Sequence, residues 1–319
     1  MGDAVVCRGL VKRFGDVVGL DGLDLTVPTG SIFGFLGPNG AGKTTTVRLL
    51  TGLTRPTTGS ASVAGLDVVT SGLRLRERVS YLAQQPEFYG WMRGRELLTF
   101  VGELFGMRGA ALRARVDEVL EQTGLSEAAH RRVGGYSGGM RQRLGLAQAL
   151  INRPDVLFLD EPVSSLDPAG RHEILSIIAD LRDHATVFMS THILADVERV
   201  CDRVAIIDRG RLVVSSTVVD LQERYAQPIF LLEPDPGQAA QVAALTARLE
   251  AQPWVASLAG DGGVLRVIAS RPADAAAGIL PLVVASGVTL ARFERGRPSL
   301  EDIFLRLVGE AEHAKTEAA

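Results

Sequence analysis

The octapeptide Gly37-Pro38-Asn39-Gly40-Ala41-Gly42-Lys43-Thr44 has the spacing G-x-x-x-x-G-K-T, and its residue types suit the gripping of phosphate. Glycines let the backbone curl so that its N–H groups converge on phosphate oxygens. The helix expected after the loop brings its N-terminus, with a partial positive charge, to the same point. Lys43 reaches toward the outer phosphates, and Thr44 offers a hydroxyl to Mg²⁺. A chance Gly-rich turn is the competing reading, and a strand-like run before the loop with a helix-like run after it disfavours that reading.

A second set of reactive residues follows the apolar run Val156–Leu159. Asp160, at the C-terminal end of a buried strand, is suited to hold Mg²⁺ through water. Glu161, one residue on, is placed to orient or deprotonate an attacking water. Two acids that open a loop are weak evidence alone and gain weight only beside the Gly-rich loop. Between the two sets lies Tyr136-Ser137-Gly138-Gly139-Met140-Arg141. A hydroxyl and two unhindered amides at a helix start make a further anion site. An ordinary Ser N-cap accounts for Ser137 but leaves Gly138 and Gly139 unexplained.

These residues need elements to position them. Ser31–Leu36, Val156–Leu159 and Thr186–Met189 are continuous apolar runs that suit central strands of a parallel sheet, buried on both faces. Their polar C-terminal ends lie where ligands bind in open α/β sheets. Thr44–Leu50 starts a helix, and Arg95–Phe105 with Ala110–Thr123 predicts a helical subdomain inserted into the core. Leu144, Ala147 and Ile151 mark the apolar side of the helix after Ser137. Past Leu221 the chain becomes turn-rich at Gln227-Pro228 and Pro234–Gly237. Beyond it we expect strand Ile229–Glu233, helix Gly237–Glu250, strand Trp254–Leu258, strand Val264–Ala269, helix Ala273–Ser286 and strand Val288–Phe293. That order is the βαββαβ of a ferredoxin-like unit.

The bulk numbers fit this division. At 319 residues the chain is long for one compact domain. Hydrophobic residues at 46% and charged residues at 22% describe an ordinary globular protein. A formal net charge of -3 gives no general pull toward nucleic acid. Cys7 and Cys201 suggest neither a disulfide framework nor a zinc site. No targeting segment and no uninterrupted apolar stretch of membrane-spanning length is expected, so a membrane role would require a partner.

With these motifs in this order, residues 3–220 resemble the ATP-binding-cassette (ABC) ATPases. Gly37–Thr44 resembles the family's Walker A loop, Tyr136–Met140 its signature, and Val156–Glu161 Walker B with its catalytic Glu. Gln84, in Tyr81-Leu82-Ala83-Gln84, resembles the Q-loop glutamine, with Gln85 as a competing candidate. Ser164–Pro168 resembles the D-loop with Asp167, and His192, after Ser190-Thr191, the switch histidine. Phe14, in Lys12-Arg13-Phe14-Gly15, stands where the family places an aromatic ring against adenine; a core ring is the alternative. The resemblance implies an α/β P-loop NTPase fold over residues 3–222, with a mixed sheet core and a helical subdomain. It is followed by an accessory α+β domain over 227–310 and a disordered tail over 311–319.

The same resemblance implies function. ATP and Mg²⁺ would be bound by Gly37–Thr44, Thr45, Phe14, Gln84 and Asp160, with Glu161, His192 and Gln84 serving hydrolysis. Because Walker A and the signature of one subunit hold different nucleotides in this family, a homodimer is implied, with Ser137, Gly138, Gly139 and Asp167 facing the partner's ATP. The implied setting is the cytoplasmic face of the cell membrane, on separate permease subunits, with no nucleic acid. Leu300-Glu301-Asp302-Ile303-Phe304 after Pro298-Ser299 resembles the ending of bacterial multidrug and antibiotic exporter subunits. The stripe Leu300, Ile303, Phe304 and Leu307 suits a helix packed on its own domain or, alternatively, a partner surface. Tyr136 for Leu, Met140 for Gln, and Arg93 where a small hydroxyl residue is common depart from the family's usual forms. The rival reading is a soluble ABC ATPase acting on ribosomes or DNA, although such relatives carry two cassettes or a long coiled coil.

Overall fold

The computed structural model describes residues 2–182, 184–225, 229–261, 263–296 and 300–304. Two compact units divide between Val218 and Val219. The first opens with a long antiparallel hairpin, β1 (Asp3–Phe14) and β2 (Val17–Pro28), followed by β3 (Ile32–Leu36) and α1 (Lys43–Leu50). Next come β4 (Thr58–Val63), β5 (Leu66–Asp67), α2 (Leu73–Arg78) and β6 (Val79–Leu82). Three helices are then inserted: α3 (Gly94–Leu104), α4 (Gly109–Gln122) and α5 (Gly138–Leu150). The unit closes with β7 (Val156–Asp160), α6 (Pro168–Asp180), β8 (Thr186–Thr191), α7 (Leu194–Val200), β9 (Arg203–Asp208) and β10 (Arg211–Thr217). Helix α8 (Val218–Arg224) follows at the boundary.

The expected apolar runs are the centre of a six-stranded sheet of order β10-β9-β3-β8-β7-β6, parallel except for β10. Every residue of β3, β7 and β8 is buried, which is why these segments read as unbroken apolar runs rather than alternating ones. Phe33, Phe188 and Phe158 are direct neighbours across the three strands. Phe188 lies 5.7 Å from Phe33 and 5.3 Å from Phe158 between ring centroids. They share one core with Val47, Leu49 and Leu50 of α1 and with Leu10, Leu20 and Leu23 of the hairpin. The hairpin belongs to a second sheet, antiparallel and ordered β2-β1-β4-β5. That sheet is absent from the expectation because its strands lack the long apolar runs of the central strands and pair with several register shifts.

The second unit is β11 (Ile229–Pro234), α9 (Ala239–Glu250), β12 (Val255–Asp261), β13 (Val264–Ala269), α10 (Pro272–Ala285) and β14 (Leu290–Gly296). Its antiparallel order, β12-β13-β11-β14, is the ferredoxin-like arrangement. Phe230, Leu232, Leu245, Leu249, Trp254 and Ile279 form its core. A Cβ at Gly278 would meet the Trp254 ring at 2.9 Å, so that glycine lets α10 lie against the indole. Residues 300–304 are helical, with Leu300 and Ile303 buried and Asp302 accepting from Arg266 of β13 at 2.5 Å. Leu300 and Ile303 of the apolar stripe are therefore turned inward, and Asp302 beside them is tied to the second unit through Arg266. Gln227-Pro228, Pro298-Ser299, Leu307 and the tail 311–319 lie outside the described residues.

Among the described residues no helix is long and apolar enough to cross a membrane. Cys7 and Cys201 are free and buried. Burial, then the Asp24 charge, pushes the Cys7 thiol up to about 12; burial, then Asp202 and Asp196, raises that of Cys201. A thiol must ionise to react. We therefore expect neither cysteine to be alkylated by iodoacetamide near pH 8 in the folded protein and both to react in denaturant, as mass spectrometry would show.

Candidate nucleotide site

The site forms where β3, β7 and β8 end together. Leu36 pairs with Thr191, and Asp160 with Ser190, so the three loops that follow start at one level. After β3 the chain turns through Gly40 (φ 80°) and Gly42 (φ 108°), backbone conformations that exclude most side chains. Gly37 runs so close to β9 that a Cβ would collide with the Ile207 carbonyl. Lys43 opens α1, is 5% exposed, and folds its ammonium back to the Gly37 and Pro38 carbonyls at 2.8 and 3.2 Å. The first turn of α1 carries no acid, so no carboxylate of its own opposes the positive end of the helix.

Asp160, 2% exposed, holds the other side. Its Oδ1 accepts from Ser190 Oγ at 2.5 Å and from Thr44 Oγ1 at 3.3 Å, and its Oδ2 from the Tyr81 hydroxyl at 3.5 Å. Burial, then the Asp160 charge, raises the Tyr81 phenol above its ordinary value and keeps it a donor. Glu161 adopts φ 48°, a left-handed backbone that costs a residue with a side chain on the order of 1 kcal/mol. Its N–H donates to the Ser190 carbonyl at 3.0 Å and reaches Ser190 Oγ at 3.2 Å. This turn sends the carboxylate back over the sheet end. There Oε1 lies 3.3 Å from Lys43 Nζ, and Oε2 lies 2.7 Å from His192 Nδ1.

Gln84 Nε2 donates to Ser164 Oγ at 3.3 Å, and Ser164 Oγ donates to the Glu161 carbonyl at 3.2 Å. Gln84 thereby joins the cluster, whereas Gln85 does not line the cleft. The cleft has a volume of about 530 Å³, within the range of small-ligand sites. It is lined by Asn39, Gly40, Gly42, Lys43, Thr44 and Thr45 of the phosphate loop and α1, and by Gln84, Glu161 and His192. Phe14, Val17, Val18 and Gly19, at the tip of the β1–β2 hairpin, complete the lining. Phe14 is a surface ring, 51% exposed, with Lys12 Nζ 4.9 Å from its centroid; it is not a core residue.

Of the expected residues outside the cleft lining, Gly37, Pro38 and Asp160 bond to Lys43 or Thr44 and Ala41 lies within the loop, whereas Ser137, Gly138, Gly139 and Asp167 make no such bond. Ser137 caps α5, its Oγ accepting from Met140 N at 3.2 Å. A Cβ at Gly138 or Gly139 would meet nothing within 4 Å, so the chain's own packing does not require either glycine. Asp167 caps α6 through Gly170 N at 3.0 Å. The departure at Tyr136 has a packing reason. Its ring is buried, its hydroxyl donates to the Ala128 carbonyl at 2.7 Å, and it fills the space that a side chain at Gly94 would take. Arg93 precedes α3 as its N-cap, with its N–H donating to Glu96 Oε2 at 2.9 Å.

Ser190, Tyr81 and the hairpin residues Val17 and Val18 are part of the site without having been assigned a role from sequence. Ser190 stands in the Ser-Thr-His run, but its bond to Asp160 exists only through the pairing of β7 with β8. We expect Ser190→Ala, which removes the closest donor to a buried carboxylate, to destabilise the protein by about 1–2 kcal/mol in urea unfolding.

Residues 20–164 match the family model described as ABC transporter, and residues 217–308 match that of the ATP-binding protein DrrA1-3-like, C-terminal domain. The chain is 36% identical to the daunorubicin resistance ATP-binding protein DrrA3 of Streptomyces coeruleorubidus, over 99% of both chains. It is 37% identical to the Nod factor export ATP-binding protein I of Burkholderia lata, over 95% of this chain and 96% of that one. Among solved structures, an ATP-binding subunit of an ABC transporter superposes with a TM-score of 0.64 at 26% identity, covering 70% of this chain and 93% of the other. The chain belongs to the ATP-binding subunits of ABC transporters, a family of ATPases.

Proposed function

We propose that this chain hydrolyses ATP to drive export through a separate membrane permease, acting as a head-to-tail pair of identical subunits. The observation that carries the reading is the meeting of Lys43, Thr44, Asp160, Glu161 and His192 at one sheet end, while Ser137, Gly138 and Gly139 lie elsewhere with open space before them. Each half is incomplete. A second copy would lay its Ser137 hydroxyl and the first amides of α5 on the outer phosphate held by Lys43. The first turn of α5 also lacks an acid, as an anion site requires.

The donors at the Thr44–Asp160 pair suit Mg²⁺. Both are hard oxygens, with the Gln84 carbonyl as a third candidate. Among the described residues no group of three His, Cys, Asp or Glu could hold a metal alone, so phosphate and water oxygens would complete the shell. The ion, when bound, neutralises charge on the phosphates.

The chain's own residues do the rest. Phosphate binding draws Lys43 from the Gly37 and Pro38 carbonyls and from Glu161 toward the γ-phosphate. Glu161, released from Lys43 and held by His192, accepts a proton from water as its oxygen attacks the γ-phosphorus. The bond to the β–γ bridging oxygen breaks, leaving ADP and phosphate, with Lys43 and the loop amides stabilising the transferred charge. Phe14, Val17 and Val18 offer an apolar edge to the adenine.

The permease contact is assigned to the segment 87–95, where Tyr89 is 61% and Trp91 70% exposed with ring centroids 6.0 Å apart. Exposed paired aromatics of this kind suit a protein contact. Docking there would hold the subunit at the cytoplasmic face of the membrane. Residues 3–222 are read as the ATPase and 227–310 as an accessory domain, and export is supported by the name of the Nod factor export relative.

Glu161→Gln should bind ATP but stop at least 100-fold short of normal turnover, and size-exclusion chromatography with ATP should show a stable dimer. Adding Ser137→Arg should abolish that dimer while leaving ATP binding intact; a persisting dimer would refute the shared site. Lys43→Ala should weaken ATP binding at least tenfold. Purification from membranes should recover a polytopic protein, and this recovery should fall with Trp91→Ala. Recovery with ribosomes or DNA instead would overturn the transport reading.

A further inference from the structure

Asp196 is a buried carboxylate that the hydrolytic step does not use. It lies in the first turn of α7 with 1% exposure. Arg171, in α6, reaches it with two nitrogens, Nε at 2.7 Å and Nη2 at 2.6 Å, both to Oδ1. Oδ2 is enclosed with no hydrogen-bond partner. Burial raises the Asp196 carboxyl, and Arg171, then Arg199 and His192, oppose that rise. Enclosing a half-satisfied carboxylate is a costly way to gain stability, and an uncharged residue would avoid the desolvation penalty. What the pair does supply is a fixed distance between two helices.

Both helices begin at functional loops. Arg171 follows Asp167, which caps α6 through Gly170 N, and Arg171 N bonds back to the Asp167 carbonyl at 2.9 Å. Asp196 follows His192 through a tight link: Ile193 N donates to Thr191 Oγ1 at 3.0 Å, and Asp196 N to the Ile193 carbonyl at 3.2 Å. A displacement of either helix start is therefore carried into its loop. Further along the same helices, Arg199 Nη2 lies 2.8 Å from His172 Nδ1, an exposed contact that is weaker than the buried pair.

We infer that Arg171 and Asp196 are positioning residues that tie the His192 segment to the helix capped by Asp167. The loop facing the second subunit thereby sets where His192 holds Glu161. The inference rests on the shared-site reading above. It assigns these two residues a role in the chemical step and not in nucleotide affinity.

The test is the steady-state ATPase of the full chain, with the melting temperature measured for each variant. Asp196→Asn and Arg171→Met should each lower kcat about tenfold while KM for ATP stays within about twofold, the signature of a misplaced group in the transition state. Arg171→Lys, which keeps the charge, should recover part of the loss. In a His192→Ala background, Asp196→Asn should cause no further loss of kcat, although its effect on melting temperature should persist. Multiplying losses, or unchanged kcat in both Asp196→Asn and Arg171→Met, would overturn the inference. Arg171 is partly exposed, so its variant serves if Asp196→Asn does not fold. Unchanged kcat in His192→Ala itself would overturn the site reading and this inference with it, which distinguishes the two failures.

Discussion

The in-register pairing of β7, β8 and β3 is the constraint on which the rest depends. Phe158, Phe188 and Phe33 stand side by side across the three strands, on a face covered by α1 and the hairpin strands. Because strand register moves every side chain together, a slip of one residue would turn these rings to the sheet's opposite face, which is also buried, and would break the ring contacts. The same register places Asp160 opposite Ser190 and Leu36 opposite Thr191. Packing of large apolar rings thus sets the level at which Lys43, Asp160, Glu161 and His192 leave the sheet. The hydrophobic core and the polar site are two ends of the same strands.

Charge at that sheet end is arranged with little slack. Glu161 lies between Lys43 and His192, 10% exposed at its side chain, on a backbone that few non-glycine residues adopt. A buried carboxylate needs compensation, and Lys43 supplies it in this state. The arrangement makes Lys43 the link between the phosphate loop and the acid: whatever draws the lysine toward phosphate also frees the carboxylate. Asp160, by contrast, is held by hydroxyls of Ser190, Thr44 and Tyr81. Neutral donors leave its charge available to a cation. Two adjacent acids therefore face different chemistry because one meets an ammonium and an imidazole and the other meets hydroxyls.

The second unit was legible in order though not in detail. Each of its expected elements is present, with ends shifted by a few residues, because strand and helix periods differ and Gly and Pro punctuate the joins. The antiparallel sheet of the first unit was not legible. Leu23–Val27 of β2 does alternate buried and exposed residues, but β1 follows no such period and the pairing shifts register several times, so the sheet as a whole left no pattern. Yet this hairpin carries Phe14, Val17 and Val18 to the cleft. Tyr136 shows a related limit. As a departure from the family's form it had no reason in the sequence, whereas the structure shows it packed over Gly94 and bonded to Ala128.

By itself the sequence determined the chemistry on offer: a phosphate loop in Gly37–Thr44, a strand ending in Asp160 and Glu161, a histidine after Ser190-Thr191, and a glycine pair at a helix start. These are local patterns, written in consecutive residues whose types and spacing have few other uses. Only the tertiary structure decided which of them meet. It brought Lys43 to Glu161 and Thr44 to Asp160, added Ser190 and Tyr81, and left Ser137–Gly139 apart. The reason is that those meetings are set by strand register and helix packing between segments far apart in the chain, and no single segment contains that information.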